Sequence, residues 1–94
     1  MLEIRYNEHL KLRIKSREVP YLLPKQIYTD ADEYYYDSRT KHYIAIKKTF
    51  YNEKIRDMAI SYDVYADYIE IITIHPLKKN QKENRIKTKR WVKV

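Results

Sequence analysis

The sequence contains neither cysteine nor glycine among its 94 residues. The missing cysteines exclude disulfide bonds, thiolate metal sites and a cysteine nucleophile. The missing glycines exclude every glycine-rich phosphate loop. No apolar run is long enough for a signal peptide or a membrane-spanning helix, so we expect a soluble, cytoplasmic protein that has no membrane partner.

Residues that could support metal or serine chemistry are also sparse. The three histidines are scattered without ligand spacing, so we expect no metal site and no other cofactor. Ser16, Ser38 and Ser61 lie outside any nucleophile-turn context, which argues against a Ser–His–Asp hydrolase. The abundance of Tyr, Lys and Glu, together with the missing Gly and Cys, is typical of a thermophilic protein.

The net charge of +7 is confined to the C-terminal end of what we expect to be a single domain, residues 1–94. Residues 77–94 contain eight basic side chains against Glu83 alone, whereas the basic and acidic side chains of residues 1–76 cancel. An excess of basic residues at one end of an otherwise neutral chain indicates an anionic partner. A solubilising tail is the alternative interpretation.

The segment from Asn7 to Arg17 predicts a helix with an unusual basic edge. Asn7 is a good N-cap, and residues four apart nearly stack on a helix, so Leu10 and Ile14 form an apolar stripe. His9, Arg13 and Arg17 form a second stripe on its flank. Guanidinium forks and an imidazole suit a phosphate-bearing ligand. The alternative is a surface helix whose solvated side is basic.

The rest of the body predicts an α+β fold. Pro20 suits the first position of a second, shorter helix that Pro24 would stop or kink. From residue 33 onward, β-favouring residues and short polar turns predict an antiparallel meander. Its four strands are expected at Glu33–Asp37, His42–Phe50, Ile55–Tyr65 and Tyr68–His75. One or two N-terminal helices would cover one face of this sheet.

The basic C-terminal segment predicts a loop followed by a strand. Residues 77–83 are polar, and residues 85–94 regain alternation, which predicts a fifth strand at the sheet edge. A disordered arm is the alternative. Trp91 favours docking, because burying an indole is worth a few kcal/mol.

Several short motifs together resemble a known family. They are Tyr6…His9…Arg13…Arg17, Val19…Leu23-Pro24, the tyrosine-rich meander and Ile71-Ile72-Thr73-Ile74-His75-Pro76. The family comprises small prokaryotic domains of unknown function that are allied to the RelE and BrnT toxins within the barnase–RelE-like ribonuclease fold. The ending from Asn84 to Trp91 is similar to an Arg…Gly-Arg-Trp ending of some members, with Lys89 where glycine is expected.

The resemblance implies a RelE-like fold, in which a helix packs on a twisted antiparallel sheet of four to five strands. It also implies a metal-independent endoribonuclease, usually the toxin half of a toxin–antitoxin pair. RNA and an antitoxin protein are the implied partners. Family members vary in their catalytic side chains, so the fold alone would not establish activity.

Metal-free RNA cleavage needs a base, an acid and cations around the phosphorane, and the chain offers each. His9 and His75 are the candidates for proton transfer, and Arg13 is placed with them as a catalytic residue. The candidates for nucleic-acid binding are Arg17, Lys78, Lys79, Arg85, Lys89, Arg90 and Trp91. Tyrosines and Trp91 offer faces for stacking on single-stranded RNA, and Thr73 shares the strand parity of His75.

Two further classes of function stay open. A non-catalytic nucleic-acid-binding module would use residues 77–94 and would bind with a steep salt dependence. A structural protein would use exposed tyrosines and its edge strand for assembly, for example as a homodimer. At the level of single residues, His75 would then only end a strand, His42 would be structural, and Arg13 and Arg17 would form weak surface ion pairs.

Overall fold

The computed structural model describes residues 2–94 and has the α+β class that the sequence predicts. Its elements are β1 (Glu3–Tyr6), α1 (Glu8–Ser16), α2 (Leu23–Asp30), β2 (Glu33–Asp37), β3 (His42–Tyr51), β4 (Lys54–Val64), β5 (Tyr68–Pro76), α3 (Gln81–Lys87) and β6 (Trp91–Lys93). Within these residues, no helix is long and apolar enough to cross a membrane.

The strands form one mixed sheet in the order β1-β5-β4-β3-β2-β6. The meander from β2 to β5 is antiparallel, as predicted, and β6 adds to β2 in the same manner. β1, however, is parallel to β5, with Glu3 opposite Tyr68 and Tyr6 opposite Ile71. The sheet thus has six strands where four to five are predicted, and β1 alone departs from the predicted antiparallel direction. A parallel pair needs a long crossover, which here is most of the chain, so local sequence patterns cannot indicate it.

Apolar side chains occupy both faces of the sheet. The larger group, which we call the helix-side core, consists of Leu10, Ile14, Val19, Leu23, Ile27, Ala45, Met58, Ile60, Tyr62, Ile69, Ile71 and Ile74. The smaller group, which we call the second cluster, consists of Tyr35, Ile44, Ile46, Ala59 and Trp91 on the opposite face, with Leu77 packed against it. Both faces of the sheet thus contribute to stability.

The two N-terminal helices differ in how well the sequence predicts them. Asn7 caps α1 as predicted, accepting a bond from the backbone N–H of Leu10 at 2.8 Å, and the helix has nine residues within the predicted segment from Asn7 to Arg17. The prediction for α2 is wrong: Pro24 lies in its first turn and begins the helix that it was expected to end. Proline is tolerated there because the first-turn N–H groups have no partner within the helix.

The C-terminal segment also departs from its prediction. The expected loop and long strand are replaced by α3 and by a β6 of only three residues. Long polar side chains such as Gln81 and Lys82 have good helix propensity, and this outweighs the weak alternation at residues 85–90. The segment is not a disordered arm, since β6 pairs with β2 at the sheet edge.

Candidate functional site

The basic stripe of α1 forms as the sequence predicts. Leu10 and Ile14 are buried, and His9 and Arg13 lie on the flank, where Arg13 Nη2 approaches His9 Nε2 at 3.3 Å. Arg17 caps the helix and donates its backbone N–H to the carbonyl of Arg13. A shallow groove of about 630 Å³ runs along these side chains. The groove is open and cationic.

His75 lies at the end of β5, on the face opposite to the helix-side core. Ile74 pairs with Ile60 in that core, whereas His75 pairs with Ala59, which belongs to the second cluster. Side chains alternate along a strand, so the imidazole and the α1 apolar stripe occupy different faces of the sheet. β1 pairs with β5 only as far as Ile71, where Asn7 N–H donates to the Ile71 carbonyl and α1 begins.

Three guanidinium groups act on His75 from two separate elements. Burial lowers the pKa of the half-buried imidazole below its ordinary value of 6.5, and the charges of Arg13, Arg17 and Arg85 lower that pKa further. Arg13 lies in α1 and Arg17 caps the C-terminus of that helix, whereas Arg85 is half-buried on α3. We call these four residues the His75 cluster. Positive charge from both α1 and α3 therefore acts on the imidazole at the end of β5.

α3 reaches this region because it lies on the second-cluster face. Lys82 Nζ bonds Glu33 Oε2 at 2.8 Å, and Glu33 is two residues from Tyr35 on β2. Leu77 packs against the second cluster and donates its backbone N–H to the carbonyl of Asp57 at 2.9 Å. These anchors fix the basic segment over the face that carries His75.

Thr73 shares that face but has a partner of its own. Its Oγ1 lies 2.6 Å from Ser61 Oγ, directly across the β4–β5 pair. The two hydroxyl groups lie beside His75 along β5 and make the surface of the sheet polar there. A ligand next to His75 on this face would therefore meet both hydroxyl groups, including that of Ser61, which the sequence gives no reason to single out.

Arg90 and Trp91 form their contacts with other residues and not with the His75 cluster. Arg90 Nε donates to both carboxylate oxygens of Asp37, at 3.0 and 3.1 Å, and Trp91 Nε1 donates to Asp37 Oδ2 at 3.0 Å. Trp91 is only 4% exposed and stacks on Tyr35, so its ring has no free face for a nucleobase. Lys89, in the turn just before them, is exposed.

Lys78, Lys79 and His42 are the remaining polar residues that the sequence analysis names. Lys78 and Lys79 are exposed immediately after β5, near Lys54 of β4, which the sequence gives no reason to single out. His42 Nδ1 lies 2.7 Å from Asp63 Oδ1 on the opposite residue of β4, a cross-strand pair that fits a structural role. No group of three metal-binding side chains occurs among residues 2–94.

Comparison with known proteins finds no matching family model, no similar curated protein and no similar solved structure. The function must therefore be argued from the geometry of the site.

Proposed function

We propose that the protein is a metal-independent endoribonuclease that cleaves single-stranded RNA at the His75 cluster. The observation that carries this proposal is the half-buried imidazole at the end of β5, on the face over which the basic segment is fixed, with positive charge from both α1 and α3 acting on it. Guanidinium groups match the geometry of a phosphate diester, and guanidiniums from different elements can surround one phosphate. An imidazole among them is a proton acceptor next to the bound phosphate.

The proposed cleavage reaction uses the imidazoles and the arginines in turn. His75 takes the proton of the 2′-hydroxyl, whose oxygen attacks the adjacent phosphorus. The arginines stabilise the negative charge that gathers on the phosphorane oxygens. The acid that gives a proton to the leaving 5′-oxygen is His9 in its imidazolium form, which requires the ring to leave the contact in which its Nε2 accepts from Arg13 Nη2 at 3.3 Å. The products are a 2′,3′-cyclic phosphate and a free 5′-hydroxyl.

The low pKa of His75 agrees with the role of base. Burial and the neighbouring arginines favour the neutral imidazole, which is the form that accepts a proton. Because the pKa lies below 6.5, the base remains deprotonated at neutral pH. The acid limb of the pH–rate profile should therefore fall below pH 6.5.

Beyond this chemistry, we propose a RelE-like fold and the role of a toxin that a protein antitoxin restrains. Two N-terminal helices on one face of a mainly antiparallel sheet are compatible with that fold. An antitoxin that blocks the site would present acidic side chains to the His75 cluster, which is cationic on both its α1 and its α3 side. A homodimer is a further possibility for the free protein.

RNA cleavage in EDTA tests the proposal. The purified protein should cleave single-stranded RNA, and His75→Gln should lower the rate by about 10²–10⁴-fold, since it removes the base. Arg13→Gln should cost about 10²–10³-fold through lost charge stabilisation. His42→Gln is the matched control, because that imidazole is also half-buried but pairs with Asp63. Intact RNA after long incubation with the wild-type protein would overturn the proposal.

A non-catalytic nucleic-acid-binding module is the second candidate. It is favoured by the eight basic side chains of residues 77–94, of which Lys78 and Lys79 are exposed. Such a module would bind RNA without turnover, and its affinity would not respond to His9→Ala or His75→Gln. The same preparations distinguish the two candidates.

A further inference from the structure

A crevice of about 330 Å³ separates the β3–β4 hairpin from the segment that leaves β5. Lys54 lines it on the hairpin side, and Lys78 and Lys79 line it on the other. All three side chains are exposed. The crevice is distinct from the α1 groove but lies at the same end of the sheet as His75, because β5 ends at Pro76.

Lys54, Lys78 and Lys79 are free to bind an external anion, whereas the fourth lysine of the lining, Lys82, is paired with Glu33. Within residues 2–94, these three lysines form no salt bridge, although six such pairs occur elsewhere. Two acidic residues also line the crevice. Asp57 is paired with Lys48 at 3.0 Å, and the exposed Glu83 offsets only one of the three lysine charges. Uncompensated cations in a concavity attract anions more strongly than the same cations on a convex surface.

Backbone contacts hold the crevice open. Leu77 N–H donates to the Asp57 carbonyl at 2.9 Å, and Lys78 N–H donates to Gln81 Oε1 at 2.9 Å. On the hairpin side, Arg56 Nε donates to the carbonyl of Tyr51 at 2.8 Å, which ties the two strands together near their turn. A site built on fixed backbone loses little entropy when a ligand binds.

The distance to His75 is short. Lys78 follows His75 by three residues, so their Cα atoms are at most about 11 Å apart. One extended nucleic-acid strand can therefore contact both places with neighbouring phosphates. A mononucleotide at the His75 cluster would leave the crevice empty.

We propose that this crevice is a second phosphate-binding subsite, and that the substrate is a single-stranded oligonucleotide whose flanking phosphate binds Lys54, Lys78 and Lys79. The inference rests on the proposed nuclease function, because it takes the His75 cluster as the site of the scissile phosphate. It adds the substrate class: a strand and not an isolated nucleotide.

The test measures binding of labelled oligothymidylate, which lacks the 2′-hydroxyl and cannot be cleaved by this route. Affinity is measured against salt for the wild type, for K78Q/K79Q and for the matched control K11Q/K25Q, which removes the same charge from exposed positions elsewhere. Two lost contacts to a single strand should reduce the log–log salt slope by about 1.4, or roughly 25-fold in affinity between 1 M and 0.1 M salt. Lys54→Gln should reduce the slope by about half as much.

The control variant K11Q/K25Q and the ligand thymidine 3′-monophosphate are the two controls for this binding measurement. K11Q/K25Q should keep the wild-type slope, and binding of the monophosphate should be equal in all variants. The subsite proposal is overturned if K78Q/K79Q keeps the wild-type salt slope, or if the control variant loses as much slope as K78Q/K79Q does. Either result counts against the subsite even if RNA cleavage is observed. If RNA stays intact but the slope falls only in K78Q/K79Q, the crevice binds strands and the nuclease proposal fails alone.

Discussion

Asp37 collects more hydrogen bonds than any other side chain described above. Its carboxylate accepts from Arg90 Nε, from Trp91 Nε1 and from the backbone N–H groups of Arg39 and Thr40. The residue is 2% exposed. Burial alone would raise the pKa of Asp37, but these donors stabilise the charged form and hold its pKa at about 2. The last strand is thereby fastened to β2 through one buried carboxylate.

The stability of the protein should consequently fall in acid through Asp37. The folded pKa of about 2 lies below the ordinary value of 3.8, so the stabilisation is complete above about pH 4 and is lost as the pH falls towards 2. The difference corresponds to about 2 kcal/mol of unfolding free energy. Urea unfolding between pH 5 and pH 2 measures this loss.

The matched variant for this measurement is Arg90→Ala. It leaves a buried carboxylate without its cation, which should cost about 3–5 kcal/mol at pH 7 and flatten the acid dependence. Arg39→Ala is the control, because Asp37 accepts only the backbone N–H of that residue. Equal acid dependence in the wild type and Arg90→Ala would contradict the assignment.

For single residues, the sequence predicts which side chains are buried better than it predicts which residues they pair with. The docking of Trp91 follows from its apolar ring, and the structure confirms it. That Asp37 is the partner does not follow, because the two residues are 54 positions apart and Asp37 lies in an acidic run with Asp30, Asp32 and Glu33. Only the register of β2 with β6 selects it.

The connections between elements show how the chain turns without glycine. Among residues 2–94, six have positive φ: Glu18, Lys41, Asn52, Glu53, Asn80 and Lys89. Lys89, with φ of 62°, is the position where the family resemblance leads us to expect glycine. Left-handed backbone costs about 1–2 kcal/mol for a residue with a Cβ atom, so these turns are maintained by the elements they join.

The β3–β4 hairpin offers the clearest test of this cost. Its two-residue turn, Asn52-Glu53, has positive φ at both positions, the type I′ geometry for which Asn-Gly is preferred. Glu53→Gly should raise the unfolding free energy by about 0.5–1 kcal/mol, since the relief of strain exceeds the added entropy of the unfolded chain. Differential scanning calorimetry should show a Tm higher by a few degrees.

The neighbouring substitution Lys54→Gly supplies the control. Lys54 is a strand residue in the same hairpin, so glycine there should destabilise the protein. A lower Tm for Glu53→Gly than for the wild type would show that the turn is not strained.

Elements with a strong local signal are predicted well, and those that depend on context are not. Asn7 and the Leu10–Ile14 spacing indicate α1 directly, and the alternation of the central strands indicates the meander. Pro24 is compatible with either the start or the end of a helix, and only packing of Leu23 and Ile27 decides between them. α3 has no buried residue, so its sequence carries no amphipathic signal.

For the whole molecule, two parts of the basic segment have different roles on one face of the sheet. Arg85 adds positive charge near His75, whereas Trp91 completes the second cluster and Arg90 pairs with Asp37. The charge count of the sequence correctly locates the excess of cations at the C-terminal end. It cannot show which cations are neutralised, because Glu33 and Asp37 are distant in sequence from Lys82 and Arg90.

Deleting residues 77–94 should therefore abolish folding and not merely weaken binding. The truncated chain exposes Tyr35, Ile44 and Ile46, leaves Asp37 without its cation and turns β2 into an unpaired edge. Loss of Trp91 packing alone is worth about 3–5 kcal/mol. Circular dichroism should show no cooperative thermal transition for residues 1–76, whereas K78Q/K79Q should unfold like the wild type. A cooperative transition in the truncated chain would show that the basic segment is dispensable.

The pairing of β6 with β2 also bears on synthesis of the protein in the cell. The residues of β6 are translated more than fifty positions after their partners in β2. During translation the second cluster therefore stays open until β6 has left the ribosome. If this protein cleaves RNA, a nascent copy in which residues 77–94 have not docked lacks the positive charge that Arg85 contributes near His75.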